Sequence, residues 1–487
     1  MTKSILKNKL TTFLKSKIFL VFILAFIIRT FFVYQDYPFV LHPDEPTVVN
    51  STISLRYDLN PKHFDWPTFY YYFNYPFFFI YEKIYFILND LKIINDLVIP
   101  KIDYYIISRF LTVSFGALTS ILIYLILKNL KVTDSLALIG ASLMSIIPFH
   151  VTRSAQALTD VPMLFFTAVS VYFLTKNLEE FKDKYFISAC FFAGLAVSTK
   201  YNGYMIFLSL GLFIFYIKGF NLKDIKLYLK SGFASFMGFF IGTPYAIFDY
   251  QTFLITDNPK GALWQFNNVG KVEITQQFTN FYKNISVNYI DAMGYIPLIL
   301  SIIFIIIFIY TRDFYKKDNY YKFLLIMVIQ FIFILWSVSG VRVQRVHYLI
   351  MLYMFLPIFS VMIFHLYLKS TKYVNFIYLI TVLSCLFQFY LKIDDLAIIK
   401  FYKNSEFTSK KENYFFLYNR SEAGLILKDL KLPSEKTSQT DLTYSSKTTH
   451  AIVSYDMCQY LNPCNFELVR KIESRSDPDI IYVFRKK

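Results

Sequence analysis

Apolar runs long enough to cross about 30 Å of hydrocarbon recur from residue 18 to residue 391, and this repetition fixes the class of fold first. They lie near 18–34, 106–127, 134–151, 158–175, 185–199, 203–217, 231–248, 294–311, 323–340, 347–367 and 373–391, which predicts about eleven spanning helices. With 55% of 487 residues hydrophobic, 17% charged and a mean hydropathy of +0.42, the chain carries more apolar surface than one aqueous core can hide.

The loops between the runs set an orientation. With the N-terminus in the cytoplasm, the inside loops carry Lys128 and Lys131; Lys176, Lys182 and Lys184; Lys218, Lys223, Lys226 and Lys230; Arg312, Lys316, Lys317 and Lys322; and Lys369 and Lys372. Each is basic, the pattern that holds loops inside. The net charge of +16, from 50 Lys and Arg against 34 Asp and Glu, is therefore read as orientation and not as nucleic-acid binding. Lys3, Lys7, Lys9, Lys15 and Lys17 precede the first run with no small-residue cleavage site after it, which reads as a retained signal anchor. A single helix over 185–217 would put the lysines on either side of it in opposite compartments, so a tight hairpin broken at Lys200-Tyr201-Asn202-Gly203 is expected.

Outside the membrane this leaves residues 35–105, a turn near 152–157, a loop near 249–293, the turn Gly340–Val346 and a tail from about 395. Residues 68–89 are apolar yet contain Asn74, Pro76, Glu82 and Lys83, and are expected as helices lying along the interface. In the tail, short apolar runs at 451–455 and 480–484 alternate with polar turns, suggesting a small α/β cap. The expected fold is thus an all-α polytopic membrane protein over 1–394, with 35–105 as its functional outer loop, and an extracytoplasmic unit over 395–487. Cys190 and Cys385 fall in apolar runs; Cys458 and Cys464 lie in the tail, where a short-loop disulfide is open.

Directly after the first run stands His42-Pro43-Asp44-Glu45-Pro46, two acids bracketed by prolines. Fixed φ at the prolines stiffens the segment, and a carboxylate held there can take a proton from a hydroxyl as a general base. An ordinary solvated acidic turn is the other reading. Cations cluster at the remaining outer helix ends: Arg109, Arg153, Lys200, Arg342 and Arg345. Several of them converging would bind a phosphate or diphosphate. Singly, each can also snorkel to the interface, though Lys200 has no long loop to escape into. Asp160 is either a second site acid or a helix cap and partner for Arg153. His347 and Tyr348, beside Arg345, are either ligand contacts or interface anchors. No nucleotide-binding glycine loop, zinc-binding His pair or Gly-x-Ser-x-Gly elbow is present, so no cofactor is expected. A divalent cation at a phosphate site is conceivable, but no ligand set marks one.

These residues together resemble the GT-C superfamily of membrane glycosyltransferases, in its protein-mannosyltransferase and aminoarabinose-transferase-like branch. The resemblance rests on His42–Pro46, on Arg109–Gly116, on Thr159-Asp160-Val161-Pro162 and on Gly194–Gly203, and covers roughly residues 18–370. It implies a sugar carried on a polyprenyl phosphate and an acceptor that is protein, lipid or glycan, joined by one inverting displacement. It further implies Asp44 as base with Glu45 as neighbour; Arg109, Lys200 and Arg345 against the leaving phosphate; and His42, Arg153, Asp160 and His347 around the donor. The expected setting is a bacterial plasma membrane. A transporter or flippase should show a repeat or matched broken helices, which this chain lacks. A glycan polymerase or ligase should carry its main loop late in the chain and not after the first helix.

Overall fold

The computed structural model describes residues 17–368 apart from 35–39, 41, 43, 95–98 and 289–293, together with scattered positions between 376 and 390 and four strands beyond them. The lysines before Lys17, and Pro43, Lys369, Lys372, Cys385, Cys458 and Cys464, lie outside the described residues.

The helical part opens with α1 (Lys17–Val33), α2 (Glu45–Ser54), α3 (Phe69–Asp90) and α4 (Lys101–Asn129). It continues through α5 (Asp134–Ile146), α6 (Pro148–Ser154), α7 (Asp160–Thr175), α8 (Asp183–Thr199), α9 (Phe207–Phe213) and α10 (Ile225–Gly242). Then come α11 (Ala262–Val269), α12 (Ile274–Lys283), α13 (Tyr295–Tyr310), α14 (Asn319–Ser339) and α15 (Phe355–Leu366). By length and composition four helical segments are fit to cross a membrane: α4, Tyr201–Lys218, α14 and Val346–Leu366; the bent pair α5 and α6 makes a fifth.

The span expected over 134–151 is therefore bent in two. Pro148 has no N–H and disfavours helical backbone at the residue before it; Ile147 turns extended (ψ 114°) and the two halves meet at 61°. The break orphans carbonyls at the end of α5, and Arg29 of α1 fills them. Its Nη1 donates to the carbonyls of Ala25 (2.8 Å) and Ser145 (3.1 Å), its Nη2 to Met144 O (3.2 Å) and to His150 Nδ1 (2.9 Å), and its Nε to Ser154 Oγ (3.2 Å). A fully buried cation is thus placed where a helix C-terminus concentrates negative dipole. Gly116 of α4 makes the room. A Cβ there would stand 2.3 Å from Ser154 Oγ and 2.8 Å from Arg29 Nε, so Gly116→Ala should cost about 1–3 kcal/mol by overpacking. Thermal unfolding of the purified variant measures this; an unchanged midpoint would contradict the packing described.

Small residues also seat α8 against α10. A Cβ at Gly194 would meet Ser235 O at 2.0 Å and one at Gly238 would meet Phe191 O at 2.1 Å, so the two backbones touch, as membrane helices do where side chains shrink. The expected hairpin is present: α8 stops at Lys200, whose backbone is extended (φ −153°), a 3-10 helix runs Tyr201–Ile206, and α9 returns until Phe213 lies 6.2 Å from the ring of Phe186. At that end of the bundle the basic loops gather. Lys131 is 3.6 Å from Glu179, Asn319 donates to Leu178 O, Lys218 lies over the Phe181 ring and Lys17 acts on Asp134.

In the first long loop, α3 is one continuous helix that passes through Pro76. It buries Tyr70, Tyr71, Asn74 and Phe78 and exposes Phe79, Ile80, Ile84 and Ile87. Far along the chain, β1 (Tyr414–Leu417), β2 (His450–Ser454), β3 (Phe466–Ile472) and β4 (Ile481–Lys486) form one sheet in the order β1-β2-β4-β3. β1 and β2 are parallel; β4 is antiparallel to β2 and β3, with a bulge near Leu468 and Arg470. The apolar runs 451–455 and 480–484 fall on β2 and β4, and among the described residues this unit contains no helix.

Candidate active site

The end of the bundle opposite the basic loops is where the polar residues of the sequence meet. α2 begins at Glu45 because Pro46 fits a first helical turn, where a missing N–H costs nothing. Asp44 takes the position before it, yet its side chain makes no capping hydrogen bond, and its carboxylate has no ion-pair partner among the described residues. It is half-buried, close enough to be felt by Tyr71 and Tyr348.

Glu45 points the other way. Fully buried, it accepts from Arg109 Nε (2.7 Å), Arg109 Nη2 (2.6 Å) and the amide of Ala157 (2.6 Å), while Arg109 Nη1 donates to Val33 O (2.8 Å). This forked, charge-assisted pair ties the end of α1, the start of α2, α4 and the turn before α7 into one knot. Arg109 is 1% exposed. The neighbouring acids therefore have different surroundings: one is enclosed by donors and the other is left open.

Three further cations stand at this end. Arg153, at the last turn of α6, lies 2.6 Å from His42 Nε2 and 3.3 Å from His347 Nδ1, and donates to Gln156 Oε1 at 3.0 Å. Burial first, and the Arg153 charge next, push the His42 imidazole well below its usual range, so it is neutral at pH 7. Both ring nitrogens face donors, Nε2 the Arg153 guanidinium and Nδ1 the Asp44 amide at 3.2 Å, and a neutral ring accepts fully from only one of them. Lys200 donates to Asp160 Oδ1 at 2.6 Å and lies 5.9 Å from the rings of both Trp66 and Tyr348. Asp160 opens α7 and is 3% exposed; its pairing is with Lys200 and not with Arg153. Arg345 is exposed, has no ion-pair partner among the described residues, and acts on both His347 and Tyr348.

Arg342 does not join them. Its guanidinium donates to Asn268 O and its amide faces Val269 O, so it fastens the loop before α12. After Arg345 the chain runs as a nine-residue 3-10 helix, Val346–Met354, carrying His347 and Tyr348. Such runs seldom pass three or four residues and often mark functional or strained segments. Lys200 is likewise followed by a 3-10 helix. From the sequence, 347–354 is expected as ordinary helix and Lys200-Tyr201-Asn202-Gly203 as the break of the hairpin, with helix from 203. The sequence reading also passed over a second polar group in the outer loop, Ser51, His63 and Asp65, although Pro61 and Pro67 bracket the last two much as prolines bracket Asp44. Among the described residues no three His, Cys, Asp or Glu side chains stand together as a metal-ligand group.

Residues 87–255 match a family model described as dolichyl-phosphate-mannose-protein mannosyltransferase. That span holds Arg109, Arg153, Asp160 and Lys200; Asp44 and Glu45 precede it. Dolichyl-phosphate-mannose–protein mannosyltransferase 1 of Saccharomyces cerevisiae is 30% identical over 160 residues, which are 31% of this chain and 19% of the yeast protein's length. Among solved structures, ArnT from Cupriavidus metallidurans bound to undecaprenyl phosphate superposes over 96% of this chain and 97% of its own, with TM-score 0.53 and 11% identity. The oligosaccharyltransferase of Archaeoglobus fulgidus, determined with zinc and sulfate, covers 90% of this chain and 68% of its own at TM-score 0.50 and 13% identity. At these identities the likeness to both structures is one of fold.

Proposed function

We propose that this chain, whose fold is that of the GT-C membrane glycosyltransferases, moves a sugar from a polyprenyl-phosphate donor to a hydroxyl acceptor on the extracytoplasmic side of a bacterial plasma membrane. One observation carries the reading: an unpaired carboxylate, Asp44, stands at the same end of the bundle as three cations, Arg153, Lys200 and Arg345. Of their charge, only that of Lys200 is neutralised by a described carboxylate, Asp160.

In this reading Asp44 takes the acceptor proton while the acceptor oxygen attacks the anomeric carbon from the face opposite the phosphate. The carbon–oxygen bond to phosphate breaks with its electron pair, and the sugar inverts. Arg345, Arg153 and Lys200 meet the charge left on the phosphate, a preorganised stabilisation of the kind that dominates such steps. Asp160 holds Lys200 in place, and His42 and His347 orient Arg153. Glu45 and Arg109 position the segment bearing Asp44, a role different from the phosphate contact that the resemblance implies for Arg109. About eleven spans cross the membrane over 1–394, the N-terminus lies inside, α3 rests at the interface where the lipid tail enters, and residues 395–487 form an outer cap.

The test is turnover by membranes or nanodiscs holding the chain, offered a panel of undecaprenyl-phosphate sugars. At least one should be consumed with release of undecaprenyl phosphate. Arg345→Gln, which breaks no described ion pair, should raise the donor KM about tenfold or more, the value of a hydrogen bond to a charged group. No consumption of any donor, or an unchanged KM in the variant, would contradict the reading.

A further inference from the structure

Ser51, His63, Asp65 and Tyr71 form a second polar cluster beside Asp44 that the transfer step above does not use. Ser51 lies on α2 seven residues beyond Asp44, hence on the same helix face. Its Oγ is 2.9 Å from His63 Nε2, and His63 Nδ1 is 2.7 Å from Asp65 Oδ1. The His63 and Asp65 side chains are each 25% exposed, so the group is open to a visitor.

Proton bookkeeping shows what the cluster offers. The one proton of Ser51 goes to Thr47 O at 2.6 Å, which leaves Ser51 Oγ to accept from His63 Nε2–H. The other ring nitrogen faces the Asp65 carboxylate. Beside this sits Tyr71, its ring 5.7 Å from that of His63 and its buried hydroxyl near Ser51 but without a well-formed hydrogen bond among the described residues. A buried phenol without a well-formed hydrogen bond is costly, and a ligand oxygen would relieve it. Asp65 and Asp44 both act electrostatically on Tyr71, so two carboxylates stand near its hydroxyl.

The wall is rigid. Tyr201 OH donates to Phe64 O at 2.6 Å, and the Phe64 amide reaches Lys260 O at 2.5 Å. One residue after Asp65, Trp66 lies over the ammonium of Lys200. The segment 63–66 thus has one side toward this cluster and the other toward the cations.

We propose that Ser51, His63, Asp65 and Tyr71 are the acceptor subsite, and that it takes a neutral hydroxyl-bearing group in preference to a phosphorylated one; this rests on the glycosyl-transfer reading. Tyr71 donates to the acceptor oxygen, His63 orients it, and the carboxylates repel anions from the ground between the two clusters. The neutral hydroxyl can belong to a sugar or to a Ser or Thr side chain.

The experiment is ligand protection against thermal unfolding of the full chain in detergent, which needs no turnover. The probes are methyl α-glucoside, N-acetylthreonine amide and inorganic phosphate; which neutral probe protects identifies the source of the hydroxyl. His63→Gln and Tyr71→Phe should each weaken the protecting neutral probe about tenfold and leave protection by phosphate unchanged, while Arg345→Gln does the reverse. Tyr71→Phe removes a hydroxyl that makes no well-formed hydrogen bond among the described residues, so the unliganded protein should keep its stability. Neutral-probe affinity unchanged in both variants, phosphate protection lost in parallel, or no neutral probe protecting wild type would each overturn the subsite. If phosphate protects and the neutral probes do not, the subsite alone falls; if phosphate also fails, the transfer reading falls with it.

Discussion

Asp44→Asn should insert, fold and bind donor as the wild type does, and lose transfer by a factor of about 10²–10⁴, the range that a positioned base supplies. Folding should survive because the Asp44 carboxylate accepts no capping bond and has no described ion-pair partner, and because Asn serves as well as Asp before a helix. Donor binding should survive because the proposed phosphate contacts are Arg153, Lys200 and Arg345. The amide keeps the shape of the acid and loses only its capacity to take a proton. Turnover with saturating donor and acceptor measures the effect, and the donor KM measured alongside separates chemistry from binding. Full activity in this variant would remove Asp44 from the base role. A matched loss of donor binding would make it a donor ligand instead.

The second large effect is on stability. Arg109→Leu takes its guanidinium partner from fully buried Glu45; breaking a buried pair from one side costs about 3–5 kcal/mol. Three joints loosen together, since the same guanidinium also holds Val33 O at the end of α1, and Glu45 also holds the amide of Ala157. Arg109→Leu and Glu45→Gln should therefore each lower the unfolding midpoint sharply. The double variant Arg109→Leu with Glu45→Leu should recover part of the loss, because an apolar pair of similar volume has no charge to desolvate. Recovery of stability without recovery of activity is expected, because the segment bearing Asp44 would no longer be aimed. If Arg109→Leu kept its midpoint and lost only donor affinity, Arg109 would instead be the phosphate contact that the resemblance implies.

Much of the helical plan was legible because membrane burial writes itself into the sequence as length and hydropathy. The run 106–127 became α4, 158–175 became α7, and the hairpin at Lys200 followed from the lysines flanking it. The bend at Pro148 was written there too, but a hydropathy run does not register a proline and so showed 134–151 without its bend. Within the site, residue identities were easier to read than their pairings. His42-Pro43-Asp44-Glu45-Pro46 announces two acids, and nothing local says that Glu45 faces Arg109, 64 residues away, while half-buried Asp44 caps no helix and has no described ion-pair partner. Asp160 invites pairing with nearby Arg153, but tertiary packing gives it to Lys200. Arg29 was invisible for a similar reason: its partners are backbone carbonyls on another helix, exposed only because that helix breaks. The Ser51, His63 and Asp65 cluster depends on α2 running beside the loop that follows it, a fact of packing and not of spacing.

The central claim is that Asp44 and the three cations serve one bound donor. Its most direct measurement is an electron cryomicroscopy structure of the Asp44→Asn chain in nanodiscs with an undecaprenyl-phosphate sugar that the wild type consumes. The account predicts phosphate oxygens within hydrogen-bonding distance of Arg345, with Arg153 or Lys200 as a second contact, and the anomeric carbon turned toward Asn at position 44. A phosphate bound elsewhere on the chain, or one seated here with the sugar pointing away from that residue, would contradict it.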